Sequence, residues 1–233
     1  MDLLIPSAIV FLISHFFPST PLRGRVVAAV GEQTYLGLYS AVSLVALVWL
    51  VWEFRAEPYG ERLWTLGDWW YWLKPAIILF ALFLLTMGLA TPNPMIPRGG
   101  GFVNAPEPAH NVLAITRHPL MWGLGLWAMA HFVSQPTWRG LWFFGTFSIM
   151  ALLGAWFQER RKAAEYGDAW RNFRRYTSFV PFAAMISGRA SLHLSALAWK
   201  PMAVAAVLWM AVLWFHSWLF GATPIPQLGT WLS

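Results

Sequence analysis

The chain has 233 residues, of which 58% are hydrophobic and only 11% are charged, whereas soluble domains average roughly 45–50% apolar and about 25% charged residues. It contains no cysteine, which excludes disulfides, thiolate nucleophiles and sulfur-ligated zinc or iron–sulfur sites. The net charge of +6 does not indicate nucleic-acid binding, because the basic residues lie in connections between apolar runs, as membrane topology requires.

Six apolar runs approach the roughly 20 residues that a helix needs to cross about 30 Å of hydrocarbon. They are residues 3–18, 35–52, 73–90, 119–133, 141–157 and 202–220. The first lacks the basic start of a signal peptide, so we interpret it as a retained helix. No internal repeat is present. The sequence therefore predicts an all-α, polytopic transmembrane helix bundle of about six spans, forming a single integral membrane domain over residues 1–233.

Two connections are longer than a turn requires. Residues 91–111 contain five prolines and a Gly triplet, which exclude regular helix and predict a cap or flap on the cytoplasmic face. In the 159–189 segment, Ala163, Tyr166, Trp170 and Phe173 recur at helical spacing among cations. This spacing predicts an amphipathic helix on the inner leaflet. Because this face carries most of the Lys and Arg residues, both termini are expected on the opposite side.

Four of the six histidines stand in or at the ends of predicted spans: His15, His118, His131 and His216. An ionisable side chain at membrane depth is costly and suggests a function, although a histidine can also brace neighbouring helices. Neutral imidazole is a strong iron ligand, and helical bundles hold heme between imidazoles of facing helices. The residues are thus compatible with a heme site. His216 has tryptophans two positions away on either side, as an interfacial anchor would.

The depth of each histidine in the membrane limits which of them can bind the same ligand atom. His118 and His131 are 13 positions apart, which is roughly 20 Å of helix, so they cannot bind one atom together. His15 and His118 lie near the inner boundary, and His131 lies near the outer one. Depth alone therefore pairs His15 with His118.

A second group of polar residues is predicted at the cytoplasmic face: Arg117, His118, Glu159 and Arg161. Guanidinium groups bind carboxylates and phosphates through paired hydrogen bonds, so a heme propionate, a phosphate or another carboxylate would fit here. The alternative is a solvated run of positive-inside charge.

Several blocks of the sequence resemble one family. ITRHPLMWG, LWAMAHF and FQERRKAAEYGDAWRNFRRYTSFVPFAA resemble the NnrU family of bacterial membrane proteins, to which the 15-cis-zeta-carotene isomerases are similar. The resemblance is strongest over residues 10–189. It implies a heme b protein of the bacterial inner membrane in which His15 and His131 are the catalytic iron ligands, while depth keeps His118 as the alternative partner of His15. The distribution of Lys and Arg places both termini on the periplasmic side. Ala128 stands where the isomerases have a cysteine suggested as an alternative ligand.

Three functions follow from these resemblances. The first is a heme b-dependent isomerase that acts on a cis double bond of a linear carotenoid within membrane lipid. The second is a heme-binding accessory or sensor protein of nitrite and nitric oxide metabolism in denitrification, with nitric oxide as its ligand. The third is an S-adenosylmethionine-dependent membrane methyltransferase, because the Arg117–His118 pair and Glu159 also resemble residues of that class. The third function leaves His15 and His131 without a role.

Overall fold

The computed structural model describes residues 3–96, 99–105 and 109–224, and all regular structure in these ranges is helical. The α-helices in chain order are α1 (Leu4–Phe16), α2 (Leu22–Val30), α3 (Glu32–Ala56), α4 (Trp69–Ala90), α5 (Pro119–Ser134), α6 (Trp138–Tyr176), α7 (Ala183–Ile186) and α8 (Trp199–Phe220). The predicted all-α class is confirmed.

Four of these helices, α3, α4, α6 and α8, are long and apolar enough to cross a membrane, which indicates a membrane protein. A fifth crossing requires a broken span, because Leu4–Ser19 and Leu22–Val30 are bent by 77°. Helix α5 has 16 residues and is therefore only about 24 Å long, less than the hydrocarbon thickness. The predicted count of six spans is not confirmed: the described residues provide four, or five with the bent pair.

The chain divides into two compact units. The first consists of Met1–Thr65 with His131–Arg161, and the second of Leu66–Ala130 with Lys162–Ser233. Helices α5 and α6 each contribute residues to both units, since the divisions fall within them.

The first unit is built around α1, α3 and the start of α6. Leu4, Ala8 and Phe11 of α1 are almost completely buried, and their spacing of four and three places them on one helical face. The Phe11 ring contacts Phe147 of α6, with 5.1 Å between centroids. Near the C-terminal end of α3, the Phe54 ring stacks on Phe143 of α6 and lies edge-on to Phe144. Aromatic contacts thus join both α1 and α3 to α6.

In the second unit, α4 and α5 approach each other at glycines. A Cβ atom on Gly123 would lie 2.8 Å from the backbone oxygen of Ala81 and 2.6 Å from Cγ of Leu85. Small residues at such crossings let helix backbones come close in an apolar environment. Helix α8 contacts the other side of α4, where the Trp209 indole donates to the carbonyl of Pro75 at 2.8 Å.

Helix α6 contains one non-helical position, Gly167, with φ 51° and ψ −116°. The predicted amphipathic segment is the part of α6 around this break. Its apolar residues Trp170 and Phe173 are 1% and 0% exposed and pack against Val103 and Leu113. The prediction of a helix lying on the lipid surface is therefore wrong in one respect: protein, and not lipid, covers these two side chains.

The connection over residues 91–111 supplies part of that cover. In the described residues it forms only 3₁₀ turns, Gly100–Asn104 and Asn111–Ala114, as its prolines and glycines predict. Pro97, Arg98 and residues 106–108 lie outside the described residues. Val103 and Leu113 anchor the connection in a hydrophobic cluster.

Candidate functional site

His15 lies at the C-terminal end of α1, just before the 77° bend. Its Nδ1 atom is 2.8 Å from the carbonyl oxygen of Phe11, one turn earlier, and 3.2 Å from Oγ of Ser14. A carbonyl oxygen can only accept a hydrogen bond, so Nδ1 carries the proton and Nε2 carries the lone pair. Metal-binding histidines are oriented in the same way, with the second nitrogen donating to a carbonyl or carboxylate.

Aromatic rings surround the half-buried His15 side chain. The Phe11 ring lies 4.0 Å from the imidazole, and Tyr39 of α3 lies edge-on at 6.4 Å. Tyr39 in turn stacks on Tyr35 at 6.2 Å. The imidazole therefore faces an apolar wall that carries phenol groups on its α3 side.

Two buried hydrogen-bond donors of the first unit, Oγ of Ser43 and Nε of Arg161, have no partner among the described residues. The Tyr35 side chain is also buried, and it faces Arg23, whose guanidinium lies 5.2 Å from the Tyr35 ring centroid. An unmade hydrogen bond costs about 1–3 kcal/mol per buried group, and an acceptor brought by a ligand would remove that cost.

Helix α6 brings Arg161 to the same end of the first unit as His15. The rings of Phe16 and Phe157 are 5.2 Å apart, and Gly154 faces Phe16. Arg161 follows Gly154 by seven positions, so it lies on the same face of α6, two turns further along. Arg161 therefore follows, along α6, the part of that helix that contacts Phe16.

His131 also belongs to the first unit, at the end of α5. Its ring stacks on Phe144 at 5.1 Å, and Phe144 contacts Phe54 of α3 at 5.8 Å. His15, by contrast, is beside Tyr39. Positions 39 and 54 are about 22 Å apart along a helix, so the two histidines occupy different depths. Their shared ligation of one iron stays a prediction.

A continuous path of phenylalanine rings nevertheless joins the two histidines. Each successive pair of phenylalanine centroids along the path is separated by 5.0 or 5.1 Å, through Phe11, Phe147, Phe143 and Phe144. Rings at this spacing are in van der Waals contact. The side chains that connect the two imidazoles are thus apolar, aromatic and packed against one another.

Arg117 and His118 belong to the second unit, where they fasten a loop. Arg117 is 5% exposed, its Nη1 donates to the carbonyl of Thr177 at 3.1 Å, and its backbone nitrogen donates to Ser178 at 2.9 Å. His118 is 1% exposed and its ring is 5.2 Å from Phe179. The Arg117 guanidinium therefore bonds to the backbone that follows α6.

The four residues predicted to dock an anion fall in two different units. Arg117 and His118 lie in the second, whereas Glu159 and Arg161 lie on α6 in the first. Of these four residues, Arg161 has a buried Nε atom with no hydrogen-bond partner among the described residues. Arg117 contacts the backbone at Thr177, and the grouping of the four residues around one anion stays a prediction.

His216, possible metal clusters and a groove on α3 are further candidate sites, and within the described residues none of them brings several functional side chains together. Nδ1 of His216 is 2.6 Å from the carbonyl of Ala222, near the end of α8, in agreement with an anchoring role. In the described part of the chain, no group of three or more His, Cys, Asp or Glu side chains could hold a metal ion. A shallow apolar groove on α3, at residues 47–56, contains no histidine.

Tyr35 and Ser43 were missed by the sequence interpretation, which concentrated on histidines and charges. A signal was present, because Tyr35, Tyr39 and Ser43 are spaced four apart on one face of an apolar helix. Single polar residues at such spacing do not identify a site, since Ser and Tyr are common in helices. Only the tertiary structure singles them out: the Ser43 hydroxyl is buried without a hydrogen-bond partner among the described residues, and the Arg23 guanidinium lies over the Tyr35 ring.

Comparison with known proteins gives both a family and named relatives. The family described as NnrU protein matches residues 3–224. The chain is 29% identical over 202 residues to the chloroplastic 15-cis-zeta-carotene isomerase of Zea mays, covering 79% of this chain and 50% of that protein. It is 28% identical over 181 residues to the Arabidopsis thaliana protein of the same name, covering 70% and 45%. The chain thus spans about half the length of these relatives. No solved structure matches.

Proposed function

Because this chain belongs to the NnrU family, we propose that it is a membrane isomerase that acts on a cis double bond of a linear carotenoid and that it uses heme b. The names of its two relatives support the reaction class. The observation that carries the cofactor is the orientation of His15, whose Nδ1 is bonded to the Phe11 carbonyl. Its Nε2 therefore carries the lone pair that a metal ligand needs.

In the first unit, His15 is suited to hold the iron of a heme from one side. It supplies an imidazole nitrogen in the correct tautomer, and the rings of Phe11 and Tyr39 provide apolar surface beside it. His131 is the second ligand that the family resemblance implies, but it lies at a different depth from His15, so this arrangement does not bring both imidazoles to one iron. Their joint ligation, and the alternative of His118 as the second ligand, stay predictions. Bound heme would supply reversible electron donation into a conjugated polyene, which lowers the barrier to rotation about a double bond.

The side chains around the histidines would keep the site apolar and hold the His15 imidazole in place, and they would not act as acids or bases. The phenylalanines between His15 and His131 are buried, so they keep the surroundings of both imidazoles apolar. The hydrogen bond from His15 to Phe11 keeps the imidazole in one orientation, so its lone pair does not have to be positioned at each turnover.

The test is to purify the protein from cells supplied with iron and porphyrin precursor, record its optical spectrum, and incubate the reduced protein with 15-cis-zeta-carotene. We expect a heme spectrum and conversion of the polyene, followed by chromatography and by its change in absorption. A heme spectrum that shifts with nitric oxide, without any isomerisation, would instead support the accessory or sensor role. A colourless protein that binds S-adenosylmethionine would support methyl transfer and contradict the proposal.

A further inference from the structure

The short helix α7 of the second unit lies against α4, one of the helices long and apolar enough to cross a membrane. The ring of Phe182, directly before α7, stacks on Phe80 of α4 with 5.7 Å between centroids. Met185 of α7 packs against the buried cluster that contains Leu84 and Met87 of α4. Because a helix such as α4 spans the hydrocarbon, α7 lies at the level of the lipid acyl chains.

The side of α7 away from this contact is apolar and uncovered. Ile186 directly follows Met185, so it projects about 100° around the helix from the residue that packs on α4. Its side chain is 85% exposed, and that of Val180, just before α7, is 53% exposed. Apolar side chains at this depth are covered by acyl chains where the described protein leaves them open.

Arg189 places a cation beside this apolar side. Its backbone nitrogen donates to the carbonyl of Ala184 in α7 at 2.9 Å. Its Nη1 donates to the last carbonyls of α6, at 3.3 Å for Arg174 and 3.2 Å for Arg175, and its Nε donates to Oγ of Ser187 at 2.8 Å. A guanidinium also carries donors on Nη2, and these make no hydrogen bond within the described residues.

The charge of this region is not balanced by the protein. Residues 162–189 contain five basic residues and two carboxylates. Both carboxylates already form ion pairs within α6, in Lys162–Glu165 and Asp168–Arg171. Arg175 and Arg189 are exposed and form no ion pair among the described residues. Two adjacent cations therefore lie next to an apolar surface at membrane depth, and the counter-charge has to come from outside the described chain.

We propose that this edge of the second unit binds an anionic phospholipid of the surrounding membrane. The phosphate accepts hydrogen bonds from Nη2 of Arg189, because guanidinium groups match phosphate oxygens in geometry and charge. Arg175 adds a second positive charge, and an acyl chain lies against Ile186. The site does not depend on the proposed heme or isomerase reaction, since none of its residues belongs to the first unit.

The first test compares two lipids with the same chains and different headgroup charge. The full-length protein, stripped of lipid in detergent, is titrated with dioleoyl phosphatidylglycerol or dioleoyl phosphatidylcholine, and the bound lipid is measured by native mass spectrometry. We expect phosphatidylglycerol to bind about five- to twentyfold more tightly, because each arginine near a lipid phosphate contributes about fivefold. Inorganic phosphate at constant ionic strength should not displace it.

Paired variants then assign the preference to residues. Arg189→Gln and Arg175→Gln should each lower it about fivefold. Arg171→Gln is the matched control, since it removes the same charge from the same helix at an arginine already paired with Asp168. Ile186→Ser should weaken the binding of both lipids. Its control is Ile149→Ser, at an isoleucine of the first unit that is 46% exposed, which should leave binding unchanged.

The outcomes decide between this site and its alternatives. Equal binding of the two lipids by the unmodified protein overturns the proposal. A preference that survives in Arg175→Gln, or that falls equally in Arg171→Gln, overturns the assignment to these residues. Arg175→Gln decides the case if Arg189→Gln does not fold, because Arg189 contacts only the backbone of Arg175. Displacement of the lipid by inorganic phosphate would show a site for the free anion and would also overturn the proposal.

Discussion

The Nδ1 atom of His15 lies 2.8 Å from the carbonyl oxygen of Phe11 in the preceding turn of the same helix. This contact needs no partner helix, because residues four apart on an α-helix face the same side. It fixes the protonated nitrogen of the ring and turns Nε2 away from its own backbone. A single turn of α1 is therefore sufficient to hold the His15 ring in one tautomer with Nε2 unprotonated.

We predict that His15→Ala lowers the heme content of the purified protein by more than about tenfold, since even the loss of outer-sphere partners costs ten- to hundredfold in metal affinity. Heme content is measured from the pyridine hemochrome spectrum, and added imidazole should restore part of the Soret band. His131→Ala and His118→Ala are measured beside it to find the second ligand. His216→Ala is the control, because that imidazole has a similar carbonyl contact in the second unit. Full heme content in His15→Ala would contradict the assignment.

We predict that Gly123→Ala destabilises the protein, because its Cβ would lie 2.8 Å from the backbone oxygen of Ala81 and 2.6 Å from Leu85. Overpacking of this kind costs about 1–3 kcal/mol. The matched control is Gly145→Ala, where the nearest atom, on Phe132, is at an ordinary 3.5 Å. Thermal unfolding in detergent should show a lower midpoint for the first variant only. Identical midpoints would mean that α4 and α5 do not cross so closely.

We predict that Arg117→Met lowers stability without lowering heme content. Arg117 is buried, and its loss leaves the Thr177 carbonyl without the donor at 3.1 Å, which costs about 1–3 kcal/mol. Arg25→Met, at an exposed position, should have little effect. Stability is measured by thermal unfolding, and heme by absorbance per protein. Reduced heme at unchanged stability would instead support the anion-docking role expected from the sequence.

We predict that Gly167→Ala destabilises α6 through its backbone alone. Gly167 has φ 51° and ψ −116°, and a Cβ there would meet no atom within 4 Å. Strained backbone positions of this type cost about 1–3 kcal/mol for residues other than glycine. Gly24→Ala is the control, since Gly24 is equally uncrowded but lies within α2, where alanine is favoured. Unfolding midpoints should fall for the first variant and stay level or rise for the second.

The helical class and the apolar lengths were determined by the sequence alone, because both depend on properties of single segments. A run of apolar residues forms a helix in lipid whatever its neighbours are, since every backbone group must be bonded internally. The position of His15 near the end of the first helix could likewise be predicted from the sequence, because it depends only on where that apolar run ends. The predicted number of spans is not confirmed where helix length is marginal, in the bent α1–α2 pair and in the 16-residue α5.

Only the tertiary structure decided which polar groups were satisfied. Trp170 and Phe173 have the spacing of a lipid-facing stripe, yet Val103 and Leu113 cover them. Arg117 and Arg161 look alike in the sequence, but the first donates to a distant carbonyl and the second has a buried nitrogen with no acceptor in the described residues. A hydrogen-bond partner from another helix is not a property of the local sequence. The chemistry of a buried charge therefore depends on what the fold places beside it.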